Sequence, residues 1–378
     1  MDFDLSPEQQ LLKQTLKDFC LNEILPKASY RDETGEFPWE LIPKLAALNI
    51  LGIFIPEEFG GAGLGAAEAA IIIEEIARVD GALALIVASH NSLCSSHILR
   101  FGSESQKKKY LPLLATGKAL GAWGLTEPES GSDSGALSTT ARIKDAQWVL
   151  NGSKMFITQG STGGVYVIMA RTSDSKKEGI SAFIVEKGTP GFSVGKIENK
   201  LGVRSSDTAS LILEDVHIPK ENLLGEENQG LKQVFQILDG GRIGIGAMAV
   251  GLGRAALEDS IRYAKTRRQF NKPIGDHQAI GFMLAEMASE LEAARLLVYH
   301  AAFLKDSGLP CHLQASEAKL YASEAAMRAT TRGIQIHGGS GYMRDLPLER
   351  YFRDARLCEI GEGTSEIQRI IIAKEILK

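Results

Sequence analysis

The hydrophobic pattern changes period twice along this chain, and that change constrains the fold more than any single residue. Apolar residues recur at helical spacing from Ser6 to about residue 118. Between Gly121 and Val216 they fall into short runs rich in Val, Ile, Thr and aromatics, and after Gly225 the helical period returns and holds to the end. Period distinguishes helix from strand before any propensity is consulted. A doubly wound nucleotide-binding fold alternates strand and helix throughout, so helix–β–helix order weighs against one.

The first helix has a clear start. Ser6 can cap, Pro7 suits the first helical position and Gln9 completes a capping box. Leu11, Leu12, Leu16, Phe19 and Cys20 follow on one face. Residues 38–48, 66–79, 83–100 and 103–115 read as further helices. The middle runs are TTARI, QWVLNG, KMFITQ, VYVIMAR, ISAFIVE, FSVGKI and ASLILEDV, punctuated by Asn151-Gly152, Gly163-Gly164 and Pro190-Gly191. Strands at this spacing predict a small antiparallel barrel or sandwich. Residues 228–268, 276–306 and 312–337 predict long amphipathic helices, and Ser365 to Gln368 predicts a capping box opening the last one. The expected architecture is α+β and multidomain: an N-terminal α-helical domain (1–118), a middle antiparallel β-barrel or sandwich domain (119–226) and a C-terminal four-helix-bundle-like domain (227–378).

Charge and cysteine usage exclude some functions. The net charge of -5 offers no basic field for a nucleic-acid backbone. The four cysteines, Cys20, Cys94, Cys311 and Cys358, form no Cys-x-x-Cys pair, against a zinc site or disulfide framework. The N-terminus MDFDLSPEQQ lacks a basic region followed by an apolar stretch. No window reaches the ~18 apolar residues of a membrane span. The expectation is a cytoplasmic protein without a membrane span; a processed organellar chain would carry the same features.

Gly61-Ala62-Gly63-Leu64-Gly65-Ala66 fits the dinucleotide fingerprint superficially. Pro56-Glu57-Glu58-Phe59 separates it from any preceding strand, and nothing after it alternates as βαβ, so a plain Gly-rich loop is expected.

Four segments carry chemistry. Trp123 to Asp133 turns from an apolar stretch into a loop of glycines and hydroxyls, where backbone N–H groups can approach a ligand. Lys154-Met155-Phe156-Ile157-Thr158 sets an aromatic face beside a hydroxyl, which suits a flat heterocycle as well as a core strand. Arg267 and Gln278 could grip a diphosphate and a polar ring edge, with Gln335-Ile336-His337-Gly338-Gly339 far downstream. His277 and His337 are expected to make structural hydrogen bonds. Glu359 to Glu366 places Glu362 between two glycines just before a helix start. Alone, such a glutamate reads as a surface residue satisfying a helix dipole.

In this order the segments resemble the acyl-CoA dehydrogenase family over essentially the whole chain. The family's G-L-T-E-P-x-x-G-S-D loop matches Gly124 to Asp133, its K-x-[WF]-I-T strand matches Lys154 to Thr158, and its R-x-x-F…Q segment matches Arg267, Phe270 and Gln278. Its Q-x-x-G-G segment matches Gln335, Gly338 and Gly339, and its E-G-T matches Glu362, Gly363 and Thr364. The resemblance implies FAD between the β domain and the C-terminal helices. Trp123, Leu125, Thr126, Ser132, Phe156, Ile157 and Thr158 would hold the isoalloxazine side. Arg267, Phe270, Gln278, Gln335, Gly338 and Gly339 would reach the FAD of a neighbouring subunit, and Thr364 and Glu366 the flavin of their own chain. Asp239 and Arg242 match the D-x-x-R that contacts coenzyme A, with Ser132 and Gly363 as further substrate contacts. The implied reaction is α,β-dehydrogenation of an acyl-CoA to the trans-2-enoyl-CoA, with Glu362 taking the α-proton and FAD the β-hydride. The implied partners are an electron-transferring flavoprotein and further copies of the chain in a homotetramer.

Members that place the base one residue before the D-x-x-R arginine have a glutamate there; this chain has Gly241. Glutaryl-type members use an arginine on an N-terminal helix, and no basic residue lies near Ala84. A monocarboxylic, apolar acyl chain fits better. LDGGRIGI and GLTEP look most like short-chain, butyryl-type enzymes, with branched, alicyclic and dicarboxylic substrates and an acyl-CoA oxidase as alternatives. Many relatives carry Tyr where Gly361 stands, a departure that would widen the pocket.

Overall fold

The computed structural model describes residues 4–173, 175 and 179–378; Met1 to Phe3 of the N-terminal reading lie outside them. The first capping box forms as expected: Gln9 N donates to Ser6 Oγ at 3.2 Å and Ser6 N donates to Gln9 Oε1 at 3.1 Å. It opens α1 (Pro7–Phe19). Helix α2 (Leu25–Thr34) is absent from the sequence reading, because it buries only Ala28 and Arg31 and shows no apolar stripe. Helix α3 (Ile42–Ala47) is shorter than expected, preceded by a 3₁₀ turn at Trp39–Leu41. Then come α4 (Ala66–Ala77), α5 (Gly81–Ser89), α6 (Ser96–Phe101) and α7 (Glu104–Ala115).

A π-helical turn, His90–Ser95, joins α5 to α6 in one continuous rod. This rod corrects the expectation that no window is apolar enough for a bilayer: Gly81–Phe101 passes on length and composition. Its apolarity has another cause, since 89% of that window is buried inside the protein. The glycine-rich loop before α4 is structural. The Asp306 carboxylate caps the helix, accepting from Ala66 N at 2.6 Å and Ala67 N at 2.9 Å. The first-turn donors that a phosphate would need are thus engaged.

The middle region is one eight-stranded sheet in the order β6-β7-β3-β2-β4-β5-β8, with β1 paired to β4. Its strands are β1 (Gly121–Gly124), β2 (Thr140–Lys144), β3 (Gln147–Thr158), β4 (Val165–Arg171), β5 (Ile180–Glu186), β6 (Phe192–Ile197), β7 (Thr208–Pro219) and β8 (Leu223–Leu224). The sheet is mixed, which corrects the antiparallel expectation: β1 and the end of β2 both run parallel to β4. A second correction concerns Asn151-Gly152. It lies inside β3 at a register shift instead of ending a strand, and the turn falls earlier, at Asp145 and Ala146, both left-handed. Gly152 has φ 148°, and a Cβ there would meet Thr139 Oγ1 at 2.5 Å, so β3 bends without breaking.

The C-terminal region comprises α8 (Gly230–Thr266), a short hairpin of β9 (Arg268–Gln269) and β10 (Lys272–Pro273), α9 (Gln278–Asp306), α10 (His312–His337), α11 (Leu348–Cys358) and α12 (Ser365–Ile376). The cap of α12 is Thr364, whose hydroxyl accepts from Ile367 N, while Ser365 is already helical; the expected Ser365–Gln368 capping box does not form, because N3 is then Ile367, which has no group to reciprocate. The N-terminal helices and the C-terminal bundle share one apolar core, in which Leu16, Ile72, Leu83, Leu252, Ala301 and Ala322 belong to a single cluster. A second cluster joins α6 and α7 to the sheet and to α8, and a third fills the sheet's own interior.

Candidate active site

Helix α11 ends at Cys358, and the chain folds back on itself before α12. Ile360 N and Gly361 N both donate to Leu357 O at 2.9 Å, and Ser365 N donates to Glu359 O at 2.9 Å. The reversal places Glu362 at φ 54° and Gly363 at φ 95°. A non-glycine residue there carries strain of about 1–3 kcal/mol, which the surroundings must hold. They do so through carbonyls. Gly363 O accepts from Lys319 Nζ at 2.7 Å and from Gln368 Nε2 at 2.8 Å, and Glu362 O accepts from Gln368 Nε2 at 3.3 Å.

The strained turn aims the Glu362 carboxyl at Gly241 on α8. Oε2 is enclosed and has no hydrogen-bond partner among the described residues. Burial pushes the carboxyl up to about 7, while the Lys319 and Arg242 cations pull the other way. A carboxylate in that range is matched to proton transfer near neutral pH.

Arg242 is buried, with only 2% exposure. Its Nη1 donates to Asp239 Oδ1 at 3.0 Å, and Asp239 Oδ1 also lies 2.7 Å from His312 Nδ1. The Arg242 Nε is enclosed and unpartnered among the described residues. Asp239 and Arg242, the residues expected to contact coenzyme A, pair with each other, and His312 joins them at the start of α10. Sequence reasoning missed His312, Lys319 and Gln368. His312 and Lys319 are lone polar residues on a long helix, where a solvated face is the simpler reading, and Gln368 reads as part of a capping box.

The expected flavin-side residues Trp123 to Thr158 lie on β1, on the loop after it and on β3. Met155 N donates to Thr126 O at 2.8 Å, and Lys154 Nζ donates to Leu125 O at 3.2 Å. Glu127 fastens the loop from within, 2.6 Å from Lys154 Nζ and accepting from Ser138 N and Thr139 N at 2.6 and 3.0 Å. Lys154 and these donors hold its carboxyl at about 2, well below the usual range, against the opposing effect of burial. A β-bulge between Lys154 and Ile157 turns Phe156 outward at φ 59° and 58% exposure. The Ile157 side chain packs inside the sheet, and its carbonyl accepts from Gly160 N at 3.0 Å. The Trp123 indole is also partly engaged: its Nε1 donates to His97 Nδ1 at 2.9 Å, and His97 Nε2 sits 3.0 Å from Gln233 Oε1. Trp123 and Leu125 pack in one cluster with Ile237 and Leu238, immediately before Asp239. The loop and the D-x-x-R segment are thereby brought together. Ser132 and Glu366 are exposed, and Thr158, Gly363 and Thr364 half-buried.

Arg267, Phe270, Gln278, Gln335, Gly338 and Gly339 are all exposed and lie at the other end of the bundle. The Tyr263 and His337 rings, stacked at 4.2 Å, join the two segments that carry them. His337 is structural, as expected, with Nδ1 2.8 Å from Gly333 O. From Gly241 to Arg267 the rise along α8 is about 39 Å. One chain thus splits the expected cofactor residues into two groups too far apart to hold the same dinucleotide. Within each group the chemistry fits FAD: an outward aromatic face and hydroxyls at one end, an unpaired guanidinium and open glycine backbone at the other.

The comparisons with known proteins agree in kind. The family models match as the acyl-CoA dehydrogenase N-terminal domain over residues 6–118, the middle domain over 122–216 and the C-terminal domain over 228–377. An acyl-CoA dehydrogenase of Bacillus subtilis (strain 168) is 49% identical over 374 residues, covering 99% of each chain. The solved butyryl-CoA dehydrogenase of Megasphaera elsdenii superposes with a TM-score of 0.98 at 42% identity, covering 100% of both chains. A chain of the structure described as "Electron transferring flavoprotein of Acidaminococcus fermentans: Towards a mechanism of flavin-based electron bifurcation" also gives a TM-score of 0.98, at 45% identity and full coverage of both. Sequence match, full-length superposition and site chemistry converge: the chain belongs to the acyl-CoA dehydrogenase family of FAD-dependent oxidoreductases.

Proposed function

We propose that the chain dehydrogenates a short, monocarboxylic acyl-CoA to its trans-2-enoyl thioester, with Glu362 as the base that removes the α-proton. The observation that carries this reading is the enclosed Oε2 of Glu362, unpartnered among the described residues, in surroundings that raise its proton affinity and set the carboxyl against the bare backbone of Gly241. Buried polar atoms are normally satisfied, so a carboxylate oxygen kept without a partner is reserved for something that binds there. Ionised Glu362 takes the α-proton as charge develops on the thioester oxygen, and hydrogen-bond donors at that oxygen lower the barrier. The FAD these residues would hold would supply the acceptor for the hydride that leaves the β-carbon.

Trp123, Leu125, Thr126, Ser132, Phe156, Ile157 and Thr158 would hold the flavin ring of their own subunit with Thr364 and Glu366. Arg267, Phe270, Gln278, Gln335, Gly338 and Gly339 would serve a neighbour's cofactor. The split along α8 supports this division and with it a homotetramer. Asp239 and Arg242 would bind the coenzyme A portion, with Ser132 and Gly363 beside the thioester. The working units are the segments 1–118, 119–226 and 227–378. The electron acceptor is an electron-transferring flavoprotein, in line with the full-length likeness to the Acidaminococcus chain. A short apolar acyl group follows from the likeness to butyryl-CoA dehydrogenase and from the wholly buried, uncharged Gly81–Ser89 helix, which offers no partner to a second carboxylate.

The test is anaerobic titration of the purified holoenzyme with a panel of acyl-CoAs, following the bleaching of oxidised flavin. Butyryl-CoA should bleach the wild type. Glu362→Gln should retain FAD and bind the thioester without bleaching. A Gln variant that is reduced as fast as wild type would end this reading.

A further inference from the structure

Lys319 has no solvent exposure, yet no carboxylate lies within ion-pair distance of it among the described residues. Buried lysines without a paired acid are rare, because burial costs the ammonium its hydration. Its one hydrogen bond runs from Nζ to the Gly363 carbonyl, 2.7 Å away. That carbonyl belongs to the left-handed turn that aims Glu362.

The surroundings explain what the ammonium faces. From the α11–α12 turn it faces Glu362 and Glu359, which pairs with Arg356; from α11 it faces the buried Cys358 thiol; from α8 it faces Arg242. Burial pulls the ammonium down to about 8, which still leaves it mostly protonated at neutral pH. Gln368 backs it up by donating to the same carbonyl from α12. Two helices, α10 and α12, therefore converge on the Glu362 and Gly363 carbonyls.

We propose that Lys319 is the positioning residue for the base: from α10 it clamps the Gly363 carbonyl and keeps a positive charge against Glu362. This rests on the assignment of Glu362 as base and adds a residue to it. The clamp holds the turn in a backbone conformation that a glutamate disfavours on its own. The charge favours the ionised carboxylate and so opposes the burial that raises its proton affinity. Without the charge, the folded-state proton affinity of Glu362 rises further. The base is active only when ionised, so the rise of kcat/KM with pH moves to higher pH.

The experiment is a pH profile of kcat/KM for butyryl-CoA with wild type, Lys319→Met, Lys319→Arg and Glu362→Gln holoenzymes. A direct reading accompanies it: the pH midpoint of the Glu362 carboxyl infrared band, isolated by subtracting the Glu362→Gln spectrum. Lys319→Met should shift both midpoints alkaline by about one unit and slow the reaction roughly tenfold at pH 6. Lys319→Arg, which keeps a cation, should leave the midpoints near those of wild type. If Lys319→Met fails to fold, Lys319→Gln keeps a donor without the charge and carries the same comparison. Unshifted midpoints in a folded, flavin-loaded variant overturn the proposal while leaving Glu362 as base. An active Glu362→Gln overturns the base assignment itself.

Discussion

A Cβ placed on Gly241 would lie 1.7 Å from Oε2 of Glu362, well inside van der Waals contact. The Glu362 carboxyl therefore fills the space that a side chain at position 241 would need. A carboxylate can stand at one of the two positions or at the other, and in this chain the bare backbone of Gly241 is the condition for Glu362 to reach the pocket.

Gly241→Ala is accordingly expected to push the carboxyl aside while leaving α8 intact, since alanine favours a helix. A displacement on the order of 1 Å at a reacting group costs roughly a hundredfold. Flavin content should be unchanged and the anaerobic bleaching rate should fall by about that factor. A variant that bleaches at the wild-type rate would show that the turn simply moves.

The second prediction concerns the indole of Trp123. Burial pulls the imidazole of His97 down to about 4, so it is neutral. Because Trp123 Nε1 donates to His97 Nδ1, the proton sits on Nε2 and is donated to Gln233 Oε1. His97→Phe preserves the volume but leaves the indole N–H and the Gln233 carbonyl unsatisfied, at about 1–3 kcal/mol. The expected result is FAD affinity weakened roughly tenfold, read from the fluorescence of released flavin. Unchanged retention would show that the Trp123 orientation does not matter to the cofactor.

Asp354 gives a prediction about stability and pH. Its carboxyl is buried, accepts from Val203 N at 2.5 Å, and is pushed up to about 7 by desolvation despite Arg350 nearby. A folded-state value above the unfolded one means that the native state holds the proton more tightly. Stability therefore falls as pH rises from about 4 to about 7 and levels off above that. Asp354→Asn keeps the acceptor and removes the titration. Its melting temperature should vary less than that of wild type between pH 5 and pH 8, and should exceed it at pH 8. Parallel melting curves for the two proteins would refute the assignment.

Much of this could be read from residues alone, for definable reasons. The Ser6 cap and the long C-terminal helices were legible because their signals are local. Glu362 stood out only through the order of the matched segments, because alone a glutamate before a helix start reads as a surface residue; its enclosure appears only in the fold. Asn151-Gly152 misled, because the pair that makes a hairpin turn also suits a bulge, and only pairing with β7 decides between them. Lys319, His97 and Gln233 were invisible because what marks them is burial and a partner many residues away. The division of the expected cofactor residues into two groups was already implied by the resemblance; the length of α8 adds how far apart the two groups stand.

The single core shared by the two helical regions has a consequence for how the chain is made. Leu16, Ile72 and Leu83 cannot complete their packing until α8 and its successors have emerged, past residue 230. The sheet has an interior of its own and can close first. During synthesis the first helices must wait with greasy faces uncovered while the β segment matures. The last third of the polypeptide then seals both halves of its own scaffold, so a ribosome that stalls before α8 releases a sticky fragment in place of a smaller enzyme.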